Sequence, residues 1–167
     1  MSGIKYGSIK GYEELHVHAG YDDLSYKEWV KLTHYFIDRI GVKKTDDIVD
    51  IGFGSGSFLN QLQCYNTLSV VDYSGDAIEI IKEIIPDGDF YVAQARKLPF
   101  EDESFDLIIS FSVFFYFTDL QFAKDVIIEM LRALKPGGRL FIGEVSDLAK
   151  KELADKLRGD TEEKRLA

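Results

Sequence analysis

The chain is poor in the residues that several protein classes need. It has a single cysteine, Cys64, so neither a disulfide framework nor a cysteine-based metal site can be built from it. No apolar run approaches the roughly 20 residues that cross a bilayer, and the N-terminus lacks the apolar core of a signal peptide. Basic residues are outnumbered: 20 Lys and Arg against 29 Asp and Glu give a formal net charge of -9. That balance argues against nucleic acid as the main partner, because phosphate contacts need clustered Lys and Arg. No group of side chains reads as a metal-ligand cluster, and there is no internal repeat or low-complexity linker. Together these absences suggest a cytoplasmic protein with no metal and no membrane partner. What is present is ordinary for a globular domain: 167 residues, 46% hydrophobic and 29% charged, enough for one core.

Residues 1–24 show weak periodicity and many aromatic and His side chains, and read as an N-terminal arm or lid. A domain over 25–167 follows. Ser25 and Glu28 fit a capping box, Trp29, Leu32, Phe36 and Ile40 lie at helical spacing, and Gly41 can end that helix. The chain then alternates. Strands are expected at Asp47–Ile51, Leu68–Asp72, Asp89–Ala93, Asp106–Phe111 and Arg139–Val145. Helices are expected at Ser57–Cys64, Asp76–Ile85, Leu120–Leu134 and Asp147–Leu157, with a turn at 135–138. Such alternation predicts an α/β fold: a Rossmann-like, doubly wound, mostly parallel sheet with helices on both faces. The near-continuous apolar strands agree, since parallel strands are buried on both sides. Ligands of such sheets bind outside the carboxyl ends of the strands, so the informative residues are those just after each strand.

The first strand runs into Val49-Asp50-Ile51-Gly52-Phe53-Gly54-Ser55-Gly56. Glycines there let a ligand approach the backbone. The pattern is not the dinucleotide fingerprint: the third glycine comes one residue early, and Ser57 stands where Gly or Ala is wanted. Asp50 would repel a pyrophosphate and attract a sulfonium or ammonium group. The second strand ends in Asp72, placed to accept bonds from both hydroxyls of a ribose. Its structural alternative is a helix cap, although Ser74 and Asp76 are better placed for that.

VDIGFGSGSFL (49–59), VVDYSGDAIEIIKE (70–83), ARKLPFEDESFDLIIS (95–110) and LRALKPGGRLFIGE (131–144) resemble the successive motifs of class I S-adenosylmethionine-dependent methyltransferases. Within that family the likeness is to the small-molecule group that includes the quinone-biosynthesis enzymes. It covers roughly residues 30–150. The resemblance implies a strand order of 3-2-1-4-5 and S-adenosylmethionine as cofactor. It implies that Asp50 and the backbone around Gly52, Phe53, Gly54 and Gly56 hold the methionine end. Asp72 would hold the ribose diol, and Tyr73 would lie against the adenine. Gln94, with Ala95 beside it, stands where such proteins usually have an Asp that accepts from the adenine amino group; a Gln carbonyl can still do so. Ser110 and Phe111 would lie near the transferred methyl group.

The Asn-Pro-Pro-Tyr type of motif of amino-methylating nucleic-acid and glutamine methyltransferases is absent; the chain reads Ser110-Phe111-Ser112-Val113. The family sheet has seven strands and only five are legible, so strands six and seven are expected to be missing. An uncovered fifth strand would leave a bare edge, which proteins avoid. The expectation is a piece of a longer enzyme, or a partner over strand 139–145.

The acceptor would be a small molecule, attacked in line with the sulfonium methyl. Alignment of such reactants is worth effective molarities of ~10⁵–10⁸ M. His16, His18 and Tyr116 are the candidates for a general base, against readings as solvent-exposed histidines and a packing aromatic. The aromatic run from Phe111 to Phe117 reads either as an apolar acceptor pocket or as packing under the next helix, with half of it assigned to packing. Cys64 is expected to be buried and His34 structural. Two other functions stay open: a nicotinamide-dependent oxidoreductase, and a non-catalytic cofactor-binding or interaction module.

Overall fold

The computed structural model of the chain describes Val17, Tyr21, residues 23–117 and residues 119–145. The candidate bases His16 and His18, and the helix expected at Asp147–Leu157, lie outside the described residues.

Helix α1 spans Tyr26–Ile40 and begins at the anticipated capping box. The Glu28 amide donates to Ser25 Oγ at 3.4 Å, and the Ser25 amide donates to Glu28 Oε2 at 2.9 Å. Gly41 closes the helix with φ 69°, its N–H reaching the Ile37 carbonyl. The face that α1 buries carries Trp29 and Ile40, with Leu32 and Phe36 half-buried beside them.

The sheet follows as β1 (Asp47–Ile51), β2 (Thr67–Asp72), β3 (Asp89–Val92), β4 (Phe105–Phe111) and β5 (Leu134–Gly143). Its order is β3-β2-β1-β4-β5, and every pairing is parallel. Parallel neighbours require crossovers, and two are helical: α2 (Gly75–Ile84) between β2 and β3, and α3 (Leu120–Ala133) between β4 and β5. Ile48, Val70, Leu107 and Ile109 meet α1 and α2 on one face. Val49, Ile51, Val71 and Ile108 meet α3 on the other. The alternation of side chains along each strand divides the core this way. Strands β1, β2 and β4 are buried nearly throughout, whereas the edges β3 and β5 are half-buried.

Four sequence expectations are corrected. The helix expected at Ser57–Cys64 is one tight turn with a 3-10 segment at Leu59–Gln61. Asn60 bonds back to Gly56, then Gln61 and Leu62 bond back only three residues, and Leu62 is already extended. Cys64, expected to be buried, is exposed and in the left-handed conformation (φ 61°), which turns the chain toward β2. The turn at 135–138 is absorbed into β5 as an irregularity: Phe105 pairs with Leu134 and Leu107 with Arg139, so the extra residues bulge out with Gly137 at φ 76°. His34, expected to be structural, is exposed on α1.

Among the described residues β5 pairs only with β4. An open groove of about 520 Å³ runs between the C-terminal half of α1 and β5 and contains none of the expected site residues.

Candidate functional site

The carboxyl ends of β1, β2, β4 and β5 converge above the sheet. Asp50 and Asp72 reach the same face because each is two residues from a core position of that face, Ile48 and Val70. Asp50 is 2% exposed, and its Oδ1 has no hydrogen-bond partner among the described residues. Burial pushes its carboxyl up to about 8, and the nearby Asp72 adds to the rise. Burial also raises Asp72, against the lowering effect of bonds from the Ser74 and Tyr73 amides. The Ser74 amide donates to Asp72 Oδ1 at 2.9 Å. Ser74 itself caps α2 through the Ala77 amide, as expected. A buried acid left without a partner is costly. This one suits a cationic donor, such as the ammonium of an amino-acid moiety.

The glycine loop separates into two jobs. A Cβ on Gly52 would strike Val113, and one on Gly56 would strike the Ile81 side chain of α2. Both have positive φ, 77° and 75°. Those two glycines therefore let the loop lie against its neighbours. At Gly54, φ 59°, a Cβ would meet nothing within 4 Å, so that position borders open space. Trp29 holds the loop from α1, its indole N–H donating to the Ser57 carbonyl at 3.4 Å.

A cavity lies over this loop. Asp50, Phe53, Gly54, Ser55, Ser57 and Phe58 contribute from the β1 side. Tyr21, Phe111, Ser112, Phe115 and Tyr116 complete it. Of the expected cofactor residues it gathers Asp50, Phe53, Gly54 and Phe111, together with the candidate base Tyr116. Gly52, Gly56, Asp72, Tyr73, Gln94, Ala95 and Ser110 lie at the same end of the sheet but outside this cavity. Tyr73 is 78% exposed beyond β2. The Gln94 side-chain carbonyl accepts from Arg96 Nε at 3.1 Å, so Arg96 competes for the acceptor expected to read an adenine. Ala95 packs against the α3-side core. Ser110 is fully buried and its hydroxyl donates to the Ile51 carbonyl at 2.9 Å, tying β4 to β1. The aromatic run divides: Phe114 and Phe117 pack in the α3-side core, while Phe115 and Tyr116 are exposed along the cavity.

Sequence reasoning missed a chain of hydroxyls at this site. Ser112 Oγ donates to Glu144 Oε2 at 2.5 Å and lies 2.5 Å from the Tyr21 hydroxyl. Ser112 and Glu144 directly follow β4 and β5, so inspecting the residue after every strand end would have found both. Tyr21, 91 positions from Ser112, had no such signal. Among the described residues, no group of three or more His, Cys, Asp or Glu could hold a metal, and no helix is long and apolar enough to cross a membrane.

Comparison with known proteins adds an independent line. Residues 49–142 match the family described as "Methyltransferase domain". The chain is 34% identical over 137 residues to the probable tRNA methyltransferase 9B of Mus musculus, covering 78% of this chain and 29% of that protein. It is 31% identical over 122 residues to the demethylmenaquinone methyltransferase of Renibacterium salmoninarum, covering 72% of this chain and 48% of that one. The chain thus spans less than half the length of these curated relatives. Among solved structures, the PH0226 protein of Pyrococcus horikoshii OT3 superposes with a TM-score of 0.69 at 26% identity, over 92% of this chain and 69% of that one.

Proposed function

The chain belongs to the methyltransferase-domain family, and from that premise we propose that it carries out S-adenosylmethionine-dependent methyl transfer to a small-molecule acceptor. When bound, the cofactor supplies a methyl group on a sulfonium, activated for in-line displacement. The observation that carries the reading is the buried Asp50 carboxylate, whose Oδ1 is unpartnered among the described residues and which lines a cavity beside the open Gly54 position. Asp50 binds the cofactor ammonium, and Asp72 accepts from the ribose hydroxyls. Gly54 allows close backbone approach. Tyr73 and Gln94 border the adenine side, with Arg96 having to release the Gln94 carbonyl. Tyr21, from the N-terminal segment, contributes to the cavity wall.

The small-molecule assignment is supported by the cavity lining, which among the described residues contains aromatic, small and acidic side chains and neither Lys nor Arg. A second reading, methylation of RNA, draws on the relatives named as tRNA methyltransferases. It would need a phosphate-binding surface, and the net charge of -9 opposes one.

Isothermal titration calorimetry with S-adenosylhomocysteine, run beside NADH and beside an Asp72→Ala variant, tests the proposal. Binding of the homocysteine product, weakened about tenfold or more by Asp72→Ala, with no heat from NADH, is the expected outcome. Heat from NADH alone would replace the proposal with an oxidoreductase.

A further inference from the structure

The geometry points to Tyr21, Ser112 and Glu144 as the route by which a neutral hydroxyl acceptor gives up its proton during methyl transfer. The acceptor class is then an uncharged hydroxyl compound. This inference rests on the methyltransferase reading above and narrows its acceptor.

Two residues are held in an unfavourable backbone conformation to form this chain. Ser112 (φ 59°) and Glu144 (φ 55°) are both left-handed and neither is glycine. Such residues persist where the surroundings over-determine them, and they cluster at working sites. Here the sheet places them side by side: Phe111 pairs with Gly143, and the Ser112 amide donates to the Gly143 carbonyl at 3.3 Å. The result is the 2.5 Å bond from Ser112 Oγ to the Glu144 carboxylate.

The direction of the chain follows from proton counting. A serine hydroxyl has one hydrogen, and Ser112 gives it to Glu144. The 2.5 Å contact with Tyr21 therefore has the phenol as donor. Burial, and next the Glu144 carboxylate, raise the Tyr21 hydroxyl well above its ordinary value, so it remains a neutral donor. Its ring is fixed against Trp29, with centroids 4.3 Å apart. The Tyr21 oxygen keeps lone pairs that can accept a hydrogen bond on the cavity side.

An acceptor hydroxyl bonded there is linked through Tyr21 and Ser112 to the Glu144 carboxylate, which can accept a proton. As its oxygen forms a bond to the methyl carbon, the carbon–sulfur bond breaks and its electron pair stays on sulfur. The hydroxyl proton passes to the Tyr21 oxygen, the Tyr21 proton to Ser112, and the Ser112 proton to Glu144, which ends as a neutral acid. Tyr21 touches the acceptor and is the catalytic residue; Ser112 and Glu144 act through it. A neutral amine attacks with its proton still attached and needs no such relay. The apolar walls come from Phe53, Phe58, Phe111 and Phe115. The alternative is that the three residues only pin the chain at Tyr21 to the sheet.

The test uses the full chain, radiolabelled S-adenosylmethionine, and two panels of single-ring probes matched in shape: phenols and the corresponding anilines. S-adenosylhomocysteine affinity is measured on every variant. Methylation of one or more phenols in preference to the matched aniline is expected. Glu144→Gln and Tyr21→Phe should lower kcat for that phenol about 100-fold. KM and S-adenosylhomocysteine affinity should stay within about threefold, and Glu144→Asp should recover most of the rate. A merely structural pin would not give that split or that rescue. Preference for anilines, no phenol methylated by a chain that binds S-adenosylhomocysteine, or unchanged kcat in Glu144→Gln would overturn the inference. Absence of S-adenosylhomocysteine binding in the unmodified chain would instead remove the methyltransferase reading beneath it.

Discussion

The two ends of the central strands carry acids in opposite circumstances. At the amino end, Asp47 and Asp106 share Lys135, whose Nζ lies 2.9 and 2.8 Å from them, and Asp46 is paired with Arg139 at 2.5 Å. Bonds from Lys135, Thr67 and Asn66 hold Asp47 down to about 2, and Lys135 also lowers Asp106. At the carboxyl end, Asp50 and Asp72 have no cation beside them among the described residues, and both are raised, mainly by burial. The same residue type therefore serves two purposes. Where the carboxylates are matched by cations, they hold strands and helix ends together. Where they are left unmatched, they are poised for a ligand that brings the missing charge.

The largest expected contrast in stability comes from Arg139. Its guanidinium bonds the buried Asp46 carboxylate, the Ile40 carbonyl at 3.0 Å and the Gly41 carbonyl, and so fastens the edge strand to the end of α1. Among the described residues, Arg139→Met leaves a buried carboxylate with only the Lys43 amide, and should cost about 3 kcal/mol in denaturant unfolding. S-adenosylhomocysteine affinity should not change. A loss of affinity would erase the division between the two ends.

The pH dependence of the ligand-free chain should show both ends at once. Asp47 is lowered on folding, so its stabilisation is complete above the ordinary value of 3.8 and fades as pH falls toward about 2. Asp50 is raised on folding. Between 3.8 and about 8 the folded chain keeps a proton that the unfolded chain has lost, so stability declines as pH rises through that window. Thermal melting should therefore rise up to about pH 4 and then decline toward about pH 8. Asp50→Asn should flatten the decline and leave the acid-side rise.

Lys135→Met should be the mildest change, about 1 kcal/mol, because Lys135 and both its partners are each about a third exposed and solvent screens them. An effect as large as that of Arg139→Met would mean that the amino-end acids act as one network.

This division was half legible in the sequence. Asp50 and Asp72 stand out because strand ends beside glycines are where ligands bind in such sheets. The parallel sheet was legible from the near-continuous apolar runs of β1, β2 and β4. The separate duties of Gly52, Gly54 and Gly56 were not, because they depend on Val113 and Ile81 arriving from elsewhere. The failed helix after the loop shows the same limit: polar Asn60, Gln61 and Gln63 carry no information about where Cys64 must turn. The Tyr21, Ser112 and Glu144 chain joins three distant segments, and only the register of β4 against β5 brings two of them together.

The most direct test of the central claim is calorimetry of S-adenosylhomocysteine binding at pH 7 in two buffers of different ionisation enthalpy. A protonated Asp50 must ionise to receive the ligand's ammonium, so binding should release about one proton per site. In Asp50→Asn the proton release should vanish and affinity should fall about tenfold or more. Buffer-independent heats in the unmodified chain, or undiminished affinity in Asp50→Asn, would contradict the assignment of Asp50 as the acid that waits for the cofactor.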